Sequence, residues 1–262
     1  MRLVDLTTPI EENMTLNSPK HPRAPLIWLN RRHEFSQWHM LVRWDPPRIP
    51  PLFDGLPPEA GMPGKGHGVQ SQQLIISTHL GTHIDASLHL DHRAEGEDIS
   101  QVPLERCCGD AIMLDLRDVC CDNYAITVAD LDRALARTSD SIRTGDIVIL
   151  HTGHSAKYGY GPGADREKWG EKYPGLGYDA AAWFIERKVK LVGIDSPNLD
   201  CDLALATHVN FLLRGWIGKD VINIVENLVN LEQVPASRFT FMALPLPIVS
   251  GDGSPVRAVA IL

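Results

Sequence analysis

Residues 79 to 92, HLGTHIDASLHLDH, place His79, His83, Asp85, His89 and His92 within one short segment. Imidazole nitrogen and carboxylate oxygen together suit zinc, manganese or iron, and a hydrolytic metal centre keeps one coordination position open for water. His79, His83, Asp85 and His89 stand at odd positions, whereas Leu80, Ile84, Ala86 and Leu88 stand at even ones. That alternation predicts a strand with one polar and one apolar face. A straight strand would separate the Cα atoms of His79 and His83 by roughly 13 Å, a gap across which two imidazoles could barely share one ion. Gly81 is the natural place for a bend that gathers them, while His83 and Asp85 already share a face. The spacing is not that of the helical HExxH proteases, because Leu80 occupies the glutamate position and Gly81 disfavours a helix.

The run HLGTHIDASLH resembles the HxGTHxDxPxH signature of the metal-dependent cyclase family of hydrolases, which includes kynurenine formamidases and isatin hydrolases. Ser87 replaces the usual proline. VDLTTPIEENM (4–14), RTGDIVILHTG (143–153), YPGLGYDAAAW (173–183), VGIDSPNLD (192–200), IVENLVNL (224–231) and PLPIVSGDGSPVRAVAI (245–261) extend the resemblance over nearly the whole chain. By themselves, His208 in ATHVNFLL and Glu226 in IVENL read as a helix-face or capping histidine and a surface acid. The resemblance implies instead that they form a second ligand set. His79, His83 and Asp85 would then hold one zinc or manganese ion, and His208 and Glu226 a second, with Asp85 bridging. A version with a single metal stays open. His89 is then the expected general acid/base, with the role of third ligand on the first ion as its alternative.

Asp195, at a strand end, reads either as a turn former or as the partner that orients a ligand histidine. His151 and His154 also follow a strand end, where α/β sheets place functional groups, and could line a pocket. His92, His21, His33, His39 and His67 read either as solvated residues or as residues that support a site from behind its ligands.

Length, composition and charge bound the alternatives. The 262 residues carry a net charge of −8, which argues against nucleic acid or an anionic membrane as partner. No apolar run is long enough to span a bilayer, and MRLVDLTTPIEEN lacks the design of a signal peptide, so a cytoplasmic location is expected. The five cysteines include two adjacent pairs and make poor material for a disulfide framework.

Those residues need positioning elements, and the sequence predicts them as follows. Strands are expected over residues 1–10, from Val69 into the ligand segment, and over Ala111–Leu116, Asp146–Leu150, Val189–Ile194, Val221–Val225, Phe239–Ile248 and Val256–Leu262. Helices are expected over Thr127–Ala136, with Thr127 as N-cap, over Tyr178–Arg187 and over Thr207–Gly215. Residues 155–172 read as a polar, glycine-rich loop. Seven prolines between Asp45 and Pro63 exclude regular structure there. The segment 30–68 therefore reads as a functional loop, and Trp28, Phe35, Trp38, Trp44 and Phe53 sit in or beside it. The expected architecture is a single α/β domain over residues 1–262, and the resemblance implies a curved mixed sheet.

The best function class is metal-dependent hydrolysis of an aryl amide or cyclic amide. Asn17 or Ser18 stands where formamidases carry a substrate-contacting tryptophan, which favours an isatin-hydrolase-like member. A cyclase or dehydratase, a lactone hydrolase and a non-catalytic metal-binding protein are the alternatives. The family also implies a homo-oligomer, dimer or tetramer.

Overall fold

The computed structural model describes residues 1–10, 74, 76–92, 96–159, 165–201, 205–214, 219–234 and 237–262. The expected loop at 30–68, its aromatic residues, Asn17, Ser18, His21, His33, His39 and His67 lie outside them. The chain divides into a unit of Met1–Ala24 with Ser77–Leu262 and a second unit, Pro25–Ile76; the elements described here belong to the first.

Ten strands are described: β1 (Leu3–Asp5), β2 (His83–Asp85), β3 (Cys108–Asp115), β4 (Ala125–Ile126), β5 (Ile147–His151), β6 (Gly175–Leu176), β7 (Leu191–Ile194), β8 (Asn223–Glu226), β9 (Arg238–Pro245) and β10 (Gly253–Ile261). Six α-helices accompany them: α1 (Leu104–Cys107), α2 (Val128–Arg137), α3 (His154–Tyr158), α4 (Arg166–Glu171), α5 (Ala180–Glu186) and α6 (Ala206–Leu212). Residues 155–172, expected as a loop, thus contain most of α3 and the whole of α4.

The main sheet runs β1-β10-β2-β8-β7-β5-β3-β9, and β9 pairs again with β10. Seven strands, β10, β2, β8, β7, β5, β3 and β9, therefore close into a ring, with β1 laid beside β10. Closure works because β10 is long: Gly253–Pro255 pair with β2, while Val256–Ile261 pair with β9. The arc β3-β5-β7-β8 is parallel, and β9, β10 and β2 join it antiparallel. The expected curved mixed α/β sheet is the one observed, and its curvature is complete.

Alternation along each strand separates two cores. Ile84, Ala111, Ile147, Ile149, Leu191, Val225, Phe241 and Ala258 belong to the cluster inside the ring. Ile112, Leu114, Val148, Leu150, Val192, Ile194 and Ile224 face the other way, against Leu131 of α2, Phe184 of α5 and Phe211 and Leu212 of α6. Each such fully buried aliphatic or aromatic side chain contributes about 1.5–3 kcal/mol. Helix α2 starts at a reciprocal cap, in which Thr127 Oγ1 accepts from the Asp130 amide at 3.3 Å and Asp130 Oδ2 accepts from the Thr127 amide at 2.9 Å. That is the N-cap the sequence predicts.

The ligand segment departs from the expected continuous strand. Only His83–Asp85 is extended; a turn precedes it and Ser87–His89 forms a 3-10 helix. Gly81 turns the chain at φ 63°, in the left-handed region that glycine adopts without strain.

Candidate metal centre

His83 and Asp85 project from the face of β2 opposite Ile84, which is inside the ring. Strand β8 lies antiparallel beside it, with Glu226 directly across from His83, so the two side chains meet as cross-strand neighbours. Helix α6 covers this face and brings His208. The turn at Gly81 folds His79 back until its ring centroid is 5.1 Å from that of His83.

Asp85 stands at the middle. Its Oδ1 is 3.1 Å from His79 Nε2 and 3.4 Å from His83 Nε2, and its Oδ2 is 3.5 Å from His208 Nε2. Glu226 closes the set, with Oε1 3.3 Å from His208 Nε2 and Oε2 3.5 Å from His83 Nε2. Two triads, His79-His83-Asp85 and Asp85-His208-Glu226, each have ligand atoms within 4.8 Å of one another and share Asp85. His83, Asp85, His208 and Glu226 are at most 3% exposed.

The outer nitrogen of each histidine in the two triads is occupied. His83 Nδ1 donates to the Gly81 carbonyl at 2.8 Å, and His208 Nδ1 donates to Asp200 Oδ2 at 2.6 Å. Thr78 Oγ1 gives its proton to Asp252 Oδ1 at 2.7 Å, so at 3.0 Å it accepts from His79 Nδ1. In all three the Nε2 lone pair is left pointing inward, as metal-bound imidazoles require. His79 Nε2, His83 Nε2 and both Asp85 carboxylate oxygens are buried without a hydrogen-bond partner. Leaving such atoms unpaired costs about 1–3 kcal/mol each, more for charged groups. A divalent cation between them meets that need, and the donor set suits zinc or manganese.

Burial alone would lower the pKa of His83 and His208, yet both are raised, His208 strongly, by the carboxylates around them. Burial works the other way on Asp85, Glu226 and Asp200, and here the imidazoles win and hold the carboxyls below their usual range. The signs yield a test. A raised histidine pKa stabilises the fold below the unfolded value of about 6.5, and that contribution is lost as pH rises through the higher folded value. The depressed carboxyls contribute above about pH 4 and fail only in stronger acid. Chelator-treated protein is therefore expected to lose thermal stability from pH 6 to pH 9. Added metal should stabilise more as pH rises, because ligands must shed protons. The increment is about 2.7 kcal/mol at a hundredfold excess over Kd. Melting curves with and without chelator check this, and parallel pH trends would contradict it.

His89 sits on the 3-10 helix beside the triads, half-buried, its ring centroid 4.2 Å from that of His79 and 6.2 Å from that of His208. Burial pulls its pKa down, but Asp252 and Asp85 push it up and prevail.

Other sequence candidates stand elsewhere. Asp195 accepts from Thr152 N and Oγ1 at 2.8 and 2.6 Å and from Gly153 N at 2.9 Å; it builds a turn, and Asp200 is the carboxylate that orients His208. Asp200 also accepts the Thr207 amide at 2.7 Å at the start of α6, so one residue places both helix and imidazole. His154 Nε2 bonds the Trp169 carbonyl at 3.0 Å between the Tyr158 and Trp169 rings. His151 and His154 are both buried, and burial lowers their pKa. His92 is exposed. Sequence reasoning passed over Asp200 and Asp252, although both stand in stretches, VGIDSPNLD and IVSGDG, that carry the family resemblance.

A closed mixed sheet that bears a carboxylate shared between two histidine-containing triads defines a metal-dependent hydrolase. The chain belongs to the Cyclase family, whose model matches residues 4–201. It is 30% identical over 191 residues to a kynurenine formamidase from Bacillus cereus, spanning 71% of this chain and 78% of that protein. Among solved structures it is similar to isatin hydrolase A from Ralstonia solanacearum, with a TM-score of 0.69 at 23% identity over 99% of this chain and 91% of the other. Isatin hydrolase A from Labrenzia aggregata, bound to benzyl benzoate, matches with a TM-score of 0.71 at 19% identity, over 99% and 93% respectively. Among the described residues, no helix is long and apolar enough to cross a membrane.

Proposed function

We propose that this chain hydrolyses the C–N bond of an aryl formamide or a cyclic aryl amide, with water activated at a divalent metal centre. The observation that carries the reading is Asp85, whose two buried oxygens lack hydrogen-bond partners and face different histidines. His79, His83 and Asp85 would hold one ion and Asp85, His208 and Glu226 a second; zinc and manganese both accept such ligands. A cation bound there lowers the pKa of water toward neutrality and polarises a carbonyl oxygen.

The chain's own residues supply the rest. The Gly81 carbonyl, Thr78 and Asp200 fix the histidine tautomers, and the Leu199 amide holds Glu226 Oε1 at 2.7 Å. With both oxygens given to the ions it would help hold, Asp85 would be a poor proton carrier. His89 stands next to the ligands with part of its ring open to solvent. It takes a proton from water and returns it to the departing nitrogen, so that the leaving amine is neutral. The formamide class follows the B. cereus relative's name, and the cyclic amide follows the signature's resemblance. We further propose that residues 1–262 form one catalytic domain that works as a cytoplasmic homo-oligomer.

The test is turnover of N-formylkynurenine, isatin and an aryl lactone by chelated protein reconstituted with zinc or manganese. Metal-dependent release of a carboxylate from either amide is expected. Activity confined to the lactone, or undiminished by chelation, overturns the amide reading.

A further inference from the structure

Asp252 lies far from the ligand segment in sequence, in the turn between β9 and β10, yet reaches it from outside. Its Oδ2 is 3.5 Å from His89 Nδ1 and 3.8 Å from His79 Nδ1, while Oδ1 accepts the Thr78 hydroxyl at 2.7 Å. One carboxylate thus faces the outer nitrogens of a metal-ligand candidate and of the proton carrier.

The turn that carries it is built to hold this position. The Asp252 carbonyl accepts the Ala86 amide at 3.0 Å, just before the 3-10 helix of His89, and the Gly251 carbonyl accepts the Ile99 amide at 2.9 Å. The Ser250 amide donates to Asp98 Oδ2 at 3.0 Å. Gly253 follows, where a Cβ would stand 3.0 Å from His79 Nε2 and 2.9 Å from the Ile84 carbonyl; only glycine lets the turn approach this closely. These anchors use backbone atoms of residues 250–253, so changing the Asp252 side chain leaves them intact.

We propose that Asp252 is the positioning residue of proton transfer: it holds His89 by Nδ1–H and thereby leaves Nε2 as the nitrogen that exchanges the proton with water and the leaving amine. The inference rests on the role given to His89 above. No ionisation of Asp252 itself is involved; it acts as a fixed acceptor that sets tautomer and ring orientation, and its contact with His89 shortens as the imidazole takes up positive charge. His79, His89 and Asp252 also form a group with ligand atoms close enough for a cation. Donation from His79 Nδ1 to Thr78 favours the proton-transfer reading over that one.

The test is a double-mutant cycle on metal-loaded protein, with an aryl formamide and a nitrophenyl ester as substrates. Asp252→Asn should lower kcat on the formamide by roughly 10- to 100-fold, with KM and metal content within about twofold of the parent. The ester should lose less, because nitrophenolate leaves without a proton. Asp252→Glu should recover part of the loss. In a His89→Ala background, Asp252→Asn should add nothing, since residues acting through one another are not additive. Metal loss in step with activity, equal losses on both substrates, an additive double mutant, or a third tight metal equivalent that vanishes in Asp252→Ala would each overturn the proposal. If His89→Ala alone keeps full turnover, the assignment of His89 has failed, and the role of Asp252 falls with it; the other outcomes leave His89 standing.

Discussion

Asp85→Ala protein is expected to retain neither metal after dialysis against chelator and to lose at least about 10³-fold in amide turnover, because a bound cation's contribution to such chemistry amounts to several kcal/mol. Asp85 is the one side chain common to the His79-His83-Asp85 and Asp85-His208-Glu226 triads, so neither of these two keeps full ligation after its removal. The consequence reaches the fold as well. His83 and His208 would lose a carboxylate that supports their charged forms, and breaking a buried ion pair by removing one partner costs about 3–5 kcal/mol. Elemental analysis, turnover and a melting curve on the same sample check the three effects together. Wild-type metal content or turnover in Asp85→Ala would exclude this centre as the catalyst.

His89→Ala separates chemistry from binding. Turnover should fall by about 10²- to 10⁴-fold, the usual worth of a positioned acid/base, while both triads keep all their members and the metal stays. His89 belongs to neither Asp85-containing triad, although its ring touches that of His79. A parallel collapse of metal content would make His89 a ligand, the alternative that the sequence left open.

The candidate cluster was legible because four of its side chains fall within 14 residues and carry a family signature, whereas His208 and Glu226 lie outside that signature and entered only through the wider family resemblance. The alternation of the segment was a poorer guide. Odd positions do share a face at His83 and Asp85, but the strand is only three residues long. His79 and His89 approach from the turn before it and the 3-10 helix after it. Short-range pattern describes a strand only while the backbone stays extended, and Gly81 at one end and the His89 amide's bond to the Ala86 carbonyl at the other end that condition. Asp252 was illegible for a different reason. It is brought to His89 by the pairing of Gly253–Pro255 with β2, a contact set by ring closure over more than 160 residues of sequence. Asp200 sits just past a strand end that the sequence did mark, but nothing local told it apart from Asp195. Only the placement of α6 does so. Regular strands and helices with apolar periodicity, such as β5, β7 and α2, fell close to expectation, whereas the brief helices α3 and α4 have too few turns to show a period.

Along with the join between β3 and β9, the join between β2 and β8 is one of the two places where the parallel arc of the ring meets its antiparallel remainder. Two of the ligand candidates hang from one side of that join and Glu226 from the other, with His208 clamped over them by α6. A divalent cation seated there would act as a rivet across the seam, tying together stretches of chain that are distant in sequence and opposite in strand direction. Loading the enzyme and locking its barrel would then be one event, and a chain stripped of its ions would be expected to breathe first along the very line where its chemistry takes place.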